Sequence, residues 1–453
     1  MLKSRINRVM EDPSRGVGLI EVLVAMMIFA LVSVGIVHSL LAVTIQVRDS
    51  KAREIATNLA SQEIDSVRST DNLFTLLDET YTPDPIGGQN FTVTRSAQWV
   101  TDPDADSVCG GVAGTTARDL QYKLVSVTVT WDGMRNRARP VYADTLIAPG
   151  ARVSGPQQST ILVYVENPSG GGTPGVTIET DPAVTPAPTP TDAQGCSYIP
   201  KVTPGTYKVT VTTPNFVDAE QKKPPTQTVT VQEGESGAAF FRAAPQQPLE
   251  VTYASNYTDP AVVLPDNLTT SFMHESDPIY SVDGGNSKTL THNLYPFAEP
   301  YKAVAGRYVE ANDGTAGCRS TNPAEWPTTV VGAETLESAP LESAAPGTGA
   351  KLSVPMGVVS IAKESGIRTI TAVSQSAGPA GTADPGCAAL TMTYTFTVTN
   401  GNSTILAALP FGSWQLYKGD SAASPEFLVG LTPKTRGSVS LGGIVTLDPR
   451  DVL

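Results

Sequence analysis

Glu21 is the residue that most asks for chemistry. It stands at the head of a stretch, Val22 to Val47, that holds no charged side chain. A carboxylate beside that much hydrocarbon costs about 3 kcal/mol on insertion scales, and such residues usually mark function. Its chemistry would be charge pairing, because a buried glutamate must find a cation. A second candidate is His274-Glu275-Ser276-Asp277, which sets a base, two acids and a hydroxyl side by side. Nothing completes it: the sequence has no G-x-S-x-G, no H-E-x-x-H and no Cys/His pairing. A polar surface loop is the expectation there. His38, inside the apolar stretch, reads as a helix-packing residue rather than a proton relay, and His292 falls in β-rich sequence. No catalytic residue and no cofactor is assigned.

Asp102, Asp104 and Asp106 are spaced as in some calcium loops. The loop lacks the glycine at its sixth position and the glutamate at its twelfth, so a solvated acidic turn is expected and no metal site is assigned. Four cysteines, Cys109, Cys196, Cys318 and Cys387, are far apart with no C-x-x-C. In an exported chain that count reads as two disulfides, with three connectivities open. Cys318 and Cys387 straddle the loop-like tract LESAPLESAAPGTGA (336–350), and pairing them would restrict it. Cys109 and Cys196 would then be left to each other.

Elements must position these residues, and composition says which. The chain has 453 residues, 40% hydrophobic and only 17% charged, with 39 Gly and 36 Pro. That length exceeds one ordinary core, and the turn signals between Thr- and Val-rich runs predict short strands. A formal charge of -13 with no basic stripe argues against a nucleic-acid partner.

The uncharged run is long enough to span a bilayer as a helix. Lys3, Arg5, Arg8 and Arg15 precede it, a basic leader suited to the cytoplasmic side. No A-x-A-like cleavage site follows, as a secretory signal would require. Helical spacing continues beyond it: Ala52, Ile55, Ala56, Leu59, Ala60, Ile64 and Val67 form one stripe. One helix of about 50 residues, roughly 80 Å long, would be half in the membrane and half packed on a globular head.

The stretch RGVGLIEVLVAMMIFALV resembles the cleavage and methylation motif of type IV prepilins: a basic residue, Gly, four residues, then Glu within an apolar helix. By that resemblance a membrane aspartyl peptidase cuts after Gly16 on the cytoplasmic side and methylates the new N-terminus, Val17. Glu21 becomes the assembly carboxylate, neutralised by the terminal amine of a neighbouring subunit. Val17 stands where Phe is commoner, Gly18 where Thr often follows, and the mid-helix proline frequent in major pilins is missing. The missing proline leans towards a minor subunit. LASQEIDSVRS is similar to the matching helix segment of minor pilins and type II secretion pseudopilins.

Residues 90–100, 121–132 and 141–147 alternate and are β-branched, so they read as strands. The expected fold class is an α+β pilin domain, a long N-terminal transmembrane helix plus a small antiparallel sheet, followed by all-β sandwich domains. The expected organisation is a leader at 1–16, a pilin-like domain at 17–148 with its helix over about 17–70, and a linker. The order T-D-x-x-G-C-x-Y-x-P-x-V-x-P-G-T-Y-x-V-x-V resembles transthyretin-like or carboxypeptidase-regulatory β-sandwich modules, which implies such a module at 157–244 without an active site. A β-rich region spans 246–350. Ala408 to Leu416 echoes the turn at Val202 to Val209, which predicts a second, diverged sandwich at 351–453.

The resemblance implies a non-enzymatic minor pilin that displays a large β-rich region for adhesion or tip function. Two alternatives stand beside it: a type II secretion-like pseudopilin, and a membrane-anchored adhesin using the pilin export route. The implied partners are the prepilin peptidase, other pilin subunits, the assembly machinery, membrane lipid and a host or surface ligand. The implied location is the cytoplasmic membrane before assembly and the cell surface after it.

Overall fold

The structure is a computed structural model. It describes residues 18–70, 73, 76–100, 109, 122–134, 139–148, 158–234, 236–275, 278–312, 314–331, 334–362, 367–398, 404–419 and 427–450. By its contacts the chain divides into two compact units, one of residues 1–105 and 120–152, the other of 106–119 and 153–453.

The first unit opens with one helix, α1 (Leu19–Arg68), of 50 residues. It is long and apolar enough to cross a membrane. Two hydroxyls within its apolar half are satisfied inside the helix: Ser39 Oγ donates to the Gly35 carbonyl at 2.9 Å and Thr44 Oγ1 to that of Leu40 at 3.0 Å. The second half is a different surface. Ala52, Ala56, Ala60, Glu63, Ile64 and Val67 are buried, with Ile55 and Leu59 partly so. Three alanines one turn apart leave no bulk between the helix axis and what lies beneath it.

What lies beneath is a four-stranded antiparallel sheet of β1 (Glu79–Tyr81), β2 (Phe91–Val100), β3 (Tyr122–Trp131) and β4 (Val141–Ile147), in that spatial order. The two-residue side-chain period of strands puts Phe91, Val93 and Ala97 of β2 and Val125, Val127, Val129 and Trp131 of β3 in one core with the alanine stripe. The opposite face carries threonines and serines in register, such as Thr94 against Thr128 and Ser96 against Ser126. The fold class read from the sequence therefore stands: a long apolar N-terminal helix over a small antiparallel sheet, then sheets alone.

In the second unit, β5 (Ser159–Glu166), β6 (Ile178–Asp181), β7 (Cys196–Val202), β8 (Gly205–Val211), β9 (Phe216–Asp218), β10 (Thr226–Val231) and β11 (Ser236–Pro245) form two sheets, ordered β7-β5-β11-β9 and β10-β8-β6. Between them pack Ile161, Val163, Val165, Val209, Val211 and Phe241, among others. β5 pairs in parallel with β11 and is buried along seven of its eight residues. A strand covered on both faces has no alternation to show, which explains the continuous apolar run ILVYV.

The remaining strands begin with β12 (Gln247–Tyr253), β13 (Val262–Val263), β14 (Thr269–Met273), β15 (Tyr280–Asp283), β16 (Thr289–Leu294) and β17 (Tyr301–Ala305). After them come β18 (Thr329–Val331), β19 (Glu334–Leu336), β20 (Ser343–Ala344), β21 (Lys351–Val354), β22 (Gly357–Ala362) and β23 (Thr369–Ser374). Last are β24 (Thr393–Thr397), β25 (Thr404–Leu409), β26 (Gly412–Lys418), β27 (Leu431–Pro433), β28 (Gly437–Val439) and β29 (Ile444–Leu447). One continuous core runs through them, from Val217 to Leu447. The tract 336–350, loop-like in composition, is partly structured: Leu336 is buried, and Ser343–Ala344 pairs with β17.

The two echoing turns have the same construction. Tyr207 Oη donates to the carbonyl of Thr203 at 2.8 Å, and Trp414 Nε1 donates to that of Pro410 at 2.9 Å, each four residues back. Both turns carry the chain out of one sheet, at the end of β7 or β25, into another at β8 or β26. Gly412 has φ of 124° in this turn, and a Cβ there would lie 2.9 Å from Cβ of Ser320. Strand neighbours also correspond: β8 lies between β6 and β10, as β26 lies between β23 and β29.

Candidate functional site

Of the residues read as chemical at the N-terminal end of the chain, the structure describes Glu21. Gly16 and Val17 lie outside the described residues. Gly18 is the N-cap, and its carbonyl receives the backbone N–H of Glu21 at 2.8 Å. Glu21 sits in the first helical turn with its side chain exposed. The helix dipole favours a carboxylate there, since free N–H groups make that end partly positive. Around it Leu19, Ile20, Leu23, Val24 and the large apolar side chains on to Val47 are exposed as well. An isolated carboxylate on an uncovered apolar helix can do one thing well: accept a cation when that surface is buried. His38 is exposed in the same stretch.

The other candidates are dispersed. Cys318 is bonded to Cys387 and Cys109 to Cys196, and no described cysteine is free. Cys109 falls between β2 and β3 in the chain and packs with Tyr164 and Cys196, on the side of β5 away from the sandwich core. Asp102, Asp104 and Asp106 lie outside the described residues, as do Ser276 and Asp277. His274 stacks on Phe297, with ring centroids 3.9 Å apart, and its Nε2 is 3.4 Å from a Glu299 carboxylate oxygen. His292 is elsewhere: its Nε2 lies 2.9 Å from the Tyr253 hydroxyl, and burial, aided by Lys223, lowers its pKa to about 4. Among the described residues no group of three or more His, Cys, Asp or Glu could hold a metal ion.

Sequence reasoning missed one polar constellation. Glu63 on α1 meets Arg95 on β2 at 2.6 Å, and the Tyr81 hydroxyl donates to the other Glu63 oxygen at 2.8 Å. Burial and this carboxylate push the Tyr81 pKa up to about 12. Arg95 completes its contacts with Glu79 at 2.6 Å and the Leu77 carbonyl at 3.0 Å. The signal was present: Arg95 shares the inward register of Phe91, Val93 and Ala97, and Glu63 lies within the alanine stripe.

Residues 13–37 match the family described as the prokaryotic N-terminal methylation motif. No curated protein matches the chain. Among solved structures it is similar to the TIE protein of Bacillus anthracis, at 11% identity over 76% of this chain and 68% of that one, with a TM-score of 0.19. It is also similar to a streptococcal ancillary pilin, at 10% identity over 42% and 69%, TM-score 0.18. A third is BcpA, the major pilin subunit of Bacillus cereus, at 10% identity over 64% and 92%, TM-score 0.18. Superposition scores this low carry nothing over to this chain. What the comparisons show of this chain is the N-terminal methylation motif over residues 13–37, at the head of the long apolar helix α1.

Proposed function

We propose that this protein is a minor type IV pilin. The prepilin peptidase would cut after Gly16, Val17 would be methylated, and Glu21 would pair with the terminal amine of a neighbouring subunit in the filament. The observation that carries this reading is the two-sided character of α1. Its second half is packed on the head sheet, while its first half exposes apolar side chains from Leu19 to Val47 around one carboxylate. Leaving such a surface in water would cost on the order of tens of kcal/mol, since each large apolar residue is worth about 1.5–3 kcal/mol on burial. Lipid covers it before assembly, and other subunits cover it afterwards.

The role is structural and presentational rather than enzymatic. The helix and head, 17–148, form the assembly part. The sandwich at 157–244 and the β-rich remainder, with a second sandwich topology over 351–453, form the displayed part. A displayed region this large suits sparse or terminal filament positions and a part in adhesion. Its immediate partners are the peptidase, other pilins, the assembly machinery and membrane lipid. The test is fractionation: sheared surface filaments should contain the processed chain at low stoichiometry. Its restriction to the cell envelope, with protein secretion lost on deletion, would overturn the reading in favour of a pseudopilin.

A further inference from the structure

The second unit contains a trough that the pilin-type role does not use. It has a volume of about 540 Å3 and opens where β14 ends and β17 begins, at the paired residues Met273 and Lys302. A neighbouring hollow of about 600 Å3 shares Met273, His274, Glu275, Tyr308 and Glu310 with it. Both volumes fall in the range of small-ligand sites. The floor is aromatic and held in place. The His274 side chain is 3% exposed and stacks on Phe297, whose ring is in turn 5.6 Å from that of Tyr301. The buried Tyr308 is fixed by its hydroxyl, which donates to Glu325 at 3.2 Å.

The charges on this floor have one dominant sign. Among the described lining residues Glu275, Glu299 and Glu310 outnumber the one cation, Lys302, while beneath the floor the Arg242 guanidinium lies 5.6 Å from the Phe297 ring. The neighbouring hollow adds Arg307, which already faces the Asp283 carboxylate at 3.5 Å. Apolar wall is supplied by Pro340 and Leu341. Aromatic faces beneath surplus carboxylates attract an organic cation, by ring quadrupole and by charge, and apolar walls accept its methylene stem.

We infer that this trough binds a lysine- or arginine-bearing peptide segment, with the cationic head among Glu275, Glu299 and Glu310 and the stem over Tyr308 and His274. The site stands whether or not the chain enters a filament, because a titration of the isolated protein reads it directly.

The experiment titrates the full-length processed chain, in detergent micelles, with tetralysine by calorimetry. Chitotriose serves as a neutral probe of similar size. The wild type should bind tetralysine at one site and not bind chitotriose. Glu275→Gln with Glu310→Gln, both exposed positions, should weaken binding at least tenfold. Ala324→Arg, which places a tethered cation in the trough from another element, should do the same. Glu179→Gln with Asp181→Asn, on β6, which is not among the residues lining either hollow, should leave binding unchanged within twofold. No tetralysine binding would overturn the proposal, as would equal weakening by the β6 pair. So would unaltered affinity in either trough variant, or chitotriose binding that the trough variants abolish.

Discussion

Arg95 Nη1 lies 2.6 Å from Glu63 Oε1, so a guanidinium in the core-facing register of β2 grips a carboxylate in the buried stripe of α1. The two side chains are only 14% and 8% exposed. Such a pair is tolerable because every lobe is occupied: Tyr81 donates to the second Glu63 oxygen, and Glu79 and the Leu77 carbonyl take the rest of the guanidinium. Removing one partner is worse than removing both, since the survivor stays buried without its counter-charge. Glu63→Ala should therefore destabilise the helix–sheet unit by about 3–5 kcal/mol. Glu63→Leu combined with Arg95→Leu should recover much of that loss. Urea unfolding followed by fluorescence of Trp131 measures both, and additive losses would contradict the coupling.

His292 makes stability depend on pH on the acid side. Burial, helped by Lys223, lowers its pKa from the ordinary 6.5 to about 4, and its Nε2 meets the Tyr253 hydroxyl. Between those values the unfolded chain binds a proton that the folded chain refuses, so stability rises with pH. It is accordingly lost as the pH falls from about 6.5 towards 4. Thermal midpoints between pH 7 and 4 should drop less steeply in His292→Gln than in the wild type. Parallel curves would remove His292 as the cause.

The Cys318–Cys387 bond closes a loop of sequence separation 69 within one core. On the chain-entropy account, opening such a loop costs about 4 kcal/mol. Cys318→Ser with Cys387→Ser should lower the denaturant midpoint of the second unit accordingly. The helix–sheet unit, which contains neither cysteine, should keep its midpoint.

At the N-terminus, Gly16→Leu should leave a longer, uncut chain, seen as unprocessed mass in the membrane fraction. Glu21→Ala should be cut normally and yet enter filaments poorly, by tenfold or more in sheared material. Normal processing of the first variant, or normal incorporation of the second, would remove the corresponding role.

Much of this was legible locally. The stripe from Ala52 to Val67 has helical spacing, the head strands alternate, and the turn at Pro204-Gly205-Thr206-Tyr207 has a visible relative at Phe411-Gly412-Ser413-Trp414. The structure gave that likeness a physical content, the aromatic donor bonded four residues back. What was hidden depends on distant partners. Val262 pairs with Leu406, and β12 lies beside β21, so the continuous core of the C-terminal region follows from no local pattern. Arg95 shows why alternation misleads when a charge takes an inward place: its meaning appears only once Glu63 is known to lie opposite.

The two disulfides also decide how the chain would carry tension. Pulled between α1 and the C-terminus, force travelling along the backbone reaches Cys109 and passes directly to Cys196, then later from Cys318 directly to Cys387. Everything between each pair, including β3, β4, β5 and β6 in the first loop, hangs outside the covalent load path. Fully stretched, the oxidised chain should be shorter than the reduced one by on the order of 500 Å, at about 3.4 Å per bypassed residue. Single-molecule extension with and without reductant reads that length. Equal lengths would mean the bonds are open under load. A protein built this way yields less under shear than its length allows, because two of its reserves of slack are tied off.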